Sequence, residues 1–168
     1  QLDCLEEERL ADAKFGSTRR GIGPVYGDKY MKKVIRMEDL FMEDTLYNKV
    51  KGLVEWKNLI VRDGYHADEL KADDMYAWLK KYGDVLKPFI TDTTVYLRDA
   101  LKEGKSILFE AQLGALRDID YGIFPYTSSS STIAAYAPIG AGIPFKKLDE
   151  VVGIIKAYSS CVGEGPFT

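Results

Sequence analysis

Apolar residues that return every three or four positions fix the middle of this chain as helical. From Asp44 onward, Leu46, Tyr47, Val50, Leu53, Val54, Leu59 and Ile60 recur at mostly that step, until Arg62, Asp63 and Gly64 stop the pattern. A second stripe starts at Asp73 and runs through Met75, Trp78, Leu79, Tyr82, Val85, Leu86, Phe89 and Ile90. Gly83 and Pro88 are the expected points of breakage or bending in it. Val95, Leu97 and Leu101 carry a helix on to Gly104, which reads as a C-cap after Lys102 and Glu103. Aromatic stripes at this spacing read as core faces rather than partner-docking ones.

The texture changes at Lys105. Ser106–Phe109 is a short apolar run after a helix stop and reads as a buried strand, with Glu110 at its end; Val151–Tyr158 reads as a second. Helices that lead into buried strands, with loops after the strand ends, predict an α/β sheet. The expected organisation is therefore a mostly helical subdomain over 1–104 and a strand–loop–helix–strand part of an α/β core over 105–168. The 168 residues suffice for one good core, and 46% hydrophobic with 29% charged residues is the balance of a soluble globular domain. No apolar run approaches the ~20 residues that cross a bilayer, and no secretory leader pattern opens the sequence. Cys4 and Cys161 stand near opposite ends without a CxxC or histidine pattern, which points to a reducing compartment and a cytoplasmic protein. The lone histidine, His66, reads as a turn or helix-start residue. The chain begins within an acidic helical pattern, Leu2–Ala13, and reads as a piece of something larger.

Between Lys14 and Arg36 the chemistry is concentrated. Lys14, Arg19, Arg20, Lys29, Lys32, Lys33 and Arg36 face a single acid, Asp28, in a chain of net charge −3. They are interleaved with Gly16, Ser17, Thr18, Gly21 and Gly23. Glycines let backbone approach a ligand, hydroxyls and amides donate to it, and cations neutralise it, so the stretch suits a phosphate. Pro24 is placed to open a short helix through Lys33, and helix starts attract anions. The spacing is neither the GxxxxGK[ST] of a P-loop nor GxGxxG after a strand. A second hydroxyl-rich run, Thr127–Thr132, can hold phosphate or cap the helix after it; both readings stay open. Glu110, Asp118 and Asp120 read as cap and turn residues, since no ligand spacing marks a metal. A compact basic patch within a net-negative chain argues against nucleic acid.

Three segments in this order, GSTRRGIGPVYGDKY (16–30), FEAQLGALRDIDYGIFPYTSSSST (109–132) and VVGIIKAYSSCVGEGPF (151–167), resemble the adenylosuccinate synthetase family. The resemblance covers nearly the whole chain but only the middle of the family's protein. It implies a helix-rich central fragment of a larger, P-loop-like α/β ligase fold. It further implies a homodimeric, GTP- and Mg2+-dependent enzyme that joins IMP to L-aspartate through a 6-phosphoryl-IMP intermediate. On this basis Thr18 and Ser128 match hydroxyls that hold the IMP phosphate. Lys32 falls where the family has an arginine reaching the IMP of the neighbouring subunit, and Gln112 or Leu113 corresponds to a glutamine near IMP. Cys161 replaces an arginine. The catalytic aspartate, catalytic histidine and the GTP, magnesium and aspartate loops match nothing in this stretch, so the implied role is IMP binding and dimer contact, with no catalytic or metal residue and no bound cofactor. Two alternatives follow from the departures: a paralogue using another purine monophosphate, or a non-catalytic nucleotide-binding or interaction module.

Overall fold

The computed structural model describes residues 1–111, 113–158 and 160–166. Six α-helices occur among them: α1 (Leu2–Leu10), α2 (Ile22–Tyr30), α3 (Glu43–Asn58), α4 (Ala72–Leu86), α5 (Thr93–Lys102) and the single-turn α6 (Ala137–Gly140). The stripe read from Asp44 places Leu46, Val50 and Val54 at four-residue steps on α3, where they are buried with Leu40. Ile35, Leu70, Met75, Tyr76, Leu79 and Ile90 pack against this cluster, so α4 lies along α3. Each such buried aliphatic side chain contributes about 1.5–3 kcal/mol. The α3 helix does not stop abruptly but widens into a π turn, Leu59–Gly64, which buries Val61.

Gly83 does not break α4, which continues to Leu86. A β-carbon at Gly83 would stand 3.0 Å from Leu40 Cδ2, so the glycine admits the 3-10 turn Met37–Phe41 against the helix. Pro88 falls in the 3-10 turn Lys87–Phe89 that follows. Asp92 caps α5 by accepting the N–H groups of Thr94 at 3.0 Å and Val95 at 3.1 Å. Gly104, at φ +75°, terminates it as the sequence predicts.

Before this bundle, α1 leads through the 3-10 turn Ala11–Ala13 to the glycine-rich loop and α2. Pro24 occupies the first turn of α2, as expected, but the helix ends at Tyr30, ahead of Lys33. Lys57 of α3 and Asp28 of α2 form a largely buried ion pair that fixes the two helices to each other. His66 is exposed at φ +51°, just after the turn at Tyr65, and starts no helix. No helix among the described residues is long and apolar enough to cross a membrane.

The expected strands are not formed. Ser106–Phe109 and Val151–Tyr158 carry no strand, and neither exchanges backbone hydrogen bonds with another described segment. Leu108 is 93% exposed and Ile154 and Ile155 are 91% and 92% exposed, so the burial inferred from their apolar character is absent as well. A strand exists only when a neighbour completes its ladder, and no described segment supplies one. What the structure bears out is a helix-rich fold.

Candidate functional site

The glycine-rich loop is built on two acids of α1. Asp3 and Glu7 lie one helical turn apart, 8% and 4% exposed, on the face turned toward the loop. Glu7 accepts the N–H groups of Phe15 (3.2 Å) and Gly16 (3.0 Å). Asp3 accepts the Ser17 hydroxyl (2.7 Å) and the Gly21 N–H (2.8 Å). Ser17 Oγ in turn accepts the Arg19 N–H at 3.1 Å, which holds Arg19 in the left-handed region at φ +57°. Gly16 and Gly21 share that region at φ +70° and +81°. Thr18, Arg19 and Arg20 are exposed at the loop's crest.

The serine run approaches from a turn organised by Asp118. This fully buried carboxylate accepts the N–H groups of Thr132 (2.7 Å), Asp120 (2.9 Å) and Tyr121 (3.1 Å). These bonds, Thr132's first, hold its pKa below the ordinary 3.8 against the opposing effect of burial. Gly122 is required beneath it, because a β-carbon there would stand 2.4 Å from the Asp118 carbonyl oxygen. The Ser128 N–H donates to the Arg117 carbonyl at 2.8 Å, and the Ile119 N–H to the Ser130 carbonyl at 3.3 Å. Ser128 Oγ is 2.9 Å from Ser130 Oγ. The run does not cap the next helical turn, Ala134–Tyr136, whose N-terminal flank is Ile133.

Loop, serine run and C-terminal segment meet. A β-carbon at Gly23 would lie 3.6 Å from Ser129 Oγ. The Phe15 and Tyr126 rings meet edge to face with centroids 6.4 Å apart, and the Phe15 carbonyl accepts the Glu164 N–H at 3.0 Å. The Arg117 guanidinium donates to the carbonyls of Tyr126 and Glu164 and contacts Cys161 Sγ. Thr18 and Ser128 thus belong to segments that the fold brings together. Leu113 lies exposed at φ +75° before Gly114 at φ +74°, whose carbonyl accepts the Thr132 hydroxyl at 2.7 Å. Gln112 lies outside the described residues.

Lys32 stands apart from these. It follows the C-terminal end of α2, roughly 13 Å of helix away from Gly21. There, exposed at φ +60°, it lines a groove of about 220 Å³ with Lys33, Val34, Ile35, Lys49, Gly52, Leu53 and Trp56. Lys33 Nζ stands 3.2 Å from the Trp56 ring centroid, and Lys49 pairs with buried Asp39 at 2.5 Å.

Sequence reasoning missed Asp3, Glu7 and Arg117. The first two had a signal, acids at a four-residue step on the helix before the loop; Arg117 had none, since its oxygen partners are backbone carbonyls. Among the described residues no three of His, Cys, Asp or Glu stand together as a metal-holding group. Glu110 and Asp120 are exposed, and both Asp118 oxygens are occupied by backbone N–H groups.

A family model described as adenylosuccinate synthetase matches residues 1–168. The chain belongs to the adenylosuccinate synthetase family. It is 43% identical over 166 residues to the adenylosuccinate synthetase of Halothermothrix orenii and, likewise over 166 residues, to that of Ligilactobacillus salivarius. Each match covers 99% of this chain and 39% of the relative. A solved structure of the fully ligated adenylosuccinate synthetase from Plasmodium falciparum superposes with a TM-score of 0.82 at 32% identity, over 99% of this chain and 39% of that one. The chain therefore spans about two fifths of the length of these adenylosuccinate synthetases.

Proposed function

We propose that this chain is the central, IMP-binding and dimer-contacting part of an adenylosuccinate synthetase, the cytoplasmic ligase that joins IMP to L-aspartate at the expense of GTP. The observation that carries the reading is the meeting of two hydroxyl-rich segments, with Gly23 against Ser129 and Phe15 against Tyr126, beneath a crest of exposed cations. A monophosphate held there takes hydrogen bonds from the hydroxyls of Thr18 and Ser128 and from loop N–H groups, while Arg19 and Arg20 neutralise its charge. Leu113 precedes Gly114, whose carbonyl accepts the Thr132 hydroxyl of the serine run, and the family resemblance assigns Gln112 or Leu113 to the nucleotide. Lys32, at the far end of α2, faces the second subunit of a homodimer and reaches that subunit's IMP.

In the whole reaction GTP phosphorylates the 6-oxygen of IMP, and the amine of aspartate then displaces that oxygen as phosphate. The contribution of this chain is to fix the nucleotide by its phosphate, so that the reacting carbon is presented in one orientation. The described residues do not fit a magnesium site, since no three of their His, Cys, Asp or Glu side chains stand together. The 39% coverage of the relatives supports chemistry carried by other parts of the protein and a surrounding α/β sheet that gives Ser106–Phe109 and Val151–Tyr158 their ladder partners.

The test is turnover. The whole protein that contains this chain, given IMP, GTP, magnesium and aspartate, is expected to form adenylosuccinate, and residues 1–168 alone are expected to form none. A whole protein that accepts a GMP-type nucleotide in place of IMP overturns the substrate; turnover by the isolated chain overturns the division of labour.

A further inference from the structure

Two buried carboxylates at the base of a phosphate loop call for an explanation, because negative charge there opposes an anionic ligand. Asp3 and Glu7 have no cationic partner within ion-pair distance among the described residues. All four of their hydrogen-bond donors belong to the loop itself: the N–H groups of Phe15, Gly16 and Gly21 and the hydroxyl of Ser17. The remaining loop N–H groups show the complementary pattern. Those of Ser17, Thr18, Arg20, Ile22 and Gly23 donate to no described residue, whereas Arg19 is taken by Ser17 Oγ and Gly21 by Asp3. A flexible glycine loop left to itself would scatter these donors; held from below at Phe15, Gly16, Ser17 and Gly21, it keeps the others clear of protein partners.

We infer that Asp3 and Glu7 are positioning residues: they bind the inward donors of the loop so that Thr18 and the free N–H groups converge on a nucleotide monophosphate. The inference rests on the reading of the loop as the phosphate site. Carboxylates serve where amides fail, because each accepts two donors at once, whereas Asn or Gln turns an N–H2 group toward one of them. Gly16 and Gly21, at two of the four bonds, are left-handed, and Arg19 is left-handed where its N–H meets the Ser17 hydroxyl that Asp3 holds.

Asp3→Asn, Glu7→Gln, Ser17→Ala and Thr18→Ala in the whole protein separate the possibilities. The first three are expected to raise the apparent KM for IMP at least tenfold, leaving the KM for GTP and aspartate within twofold. Ser17→Ala removes one bond to Asp3 while keeping both carboxylates, and it carries the test if the acid variants fail to fold. A lower melting temperature with an unchanged KM for IMP in Ser17→Ala and in whichever acid variants fold makes these residues merely structural and overturns the inference. If Thr18→Ala also leaves that KM unchanged, the phosphate reading of the loop falls with it; if Thr18→Ala alone raises it, only the positioning role falls.

Discussion

Thr132 is tied down at both ends of its residue: its N–H donates to Asp118 Oδ2 at 2.7 Å, and its hydroxyl donates to the carbonyl of Gly114, four residues before the aspartate, at 2.7 Å. That pair closes the loop from Gly114 to Thr132 and sets where Ser128 stands. Asp118→Asn keeps the shape but turns an amide donor toward a backbone donor. The expected cost is about 1–3 kcal/mol, measured by urea denaturation, with faster hydrogen exchange at the Thr132 amide. Unchanged exchange at that amide would show that the bond is not what orders the run.

Gly16 joins the loop to the C-terminal segment. A β-carbon there would lie 2.6 Å from the Glu164 nitrogen and 2.9 Å from Gly163 Cα, and the residue already sits at φ +70°. Gly16→Ala is expected to lose about 1–2 kcal/mol from the left-handed backbone alone and to release the Glu164 N–H from the Phe15 carbonyl. Amide exchange at Glu164 is the direct readout, and protection retained in the variant would refute the contact.

The Lys57–Asp28 pair anchors α2, and through it the loop. Lys57→Met strands a buried carboxylate and is expected to cost about 3–5 kcal/mol. The double variant Lys57→Met with Asp28→Leu should recover most of that loss, since a well-packed apolar pair replaces a buried ion pair at little cost. A double-mutant cycle by chemical denaturation decides it; additive losses would mean that the two side chains do not interact.

Five carboxylates titrate below their ordinary range, Asp63 among them through its bond to the Arg62 guanidinium. The guanidinium of Arg9, with the Tyr65 hydroxyl, lowers Glu6 from 4.5 to about 2. Lys80 and Lys87 lower Glu43 from 4.5 to about 2. Burial pushes Asp39 up, but its bonds to Lys49 and the Arg36 N–H outweigh that and bring it below 3.8. Asp118 is lowered by the backbone donors already described. For each, the folded pKa lies below the unfolded one, so the stabilisation is complete above about pH 4.5 and is lost as pH falls toward 2. Thermal midpoints should be level from pH 6 to 5 and drop steadily below 4.5. Equal midpoints at pH 6 and pH 3 would remove these carboxylates from the account.

The helices α3, α4 and α5 were legible in the sequence because their signals are local: a three-to-four-residue apolar step, and Gly104 after the last turn of α5. The conformational freedom of the loop was legible for the same reason, in Gly16 and Gly21. The chemical types suited to a phosphate, and the resemblance that led to the family, were also written in the residues themselves. What tertiary structure decided was partnership. Whether Ser106–Phe109 is a strand depends on a neighbour that no apolar run can specify. Gly83, a helix breaker by propensity, stays helical because Leu40, distant in the chain, needs its space. Asp3 takes its place beneath the loop only because the chain returns at Ser17 and Gly21 to offer it donors. Propensity acts over one or two turns of chain, whereas burial and hydrogen bonding are settled by whatever the fold brings alongside.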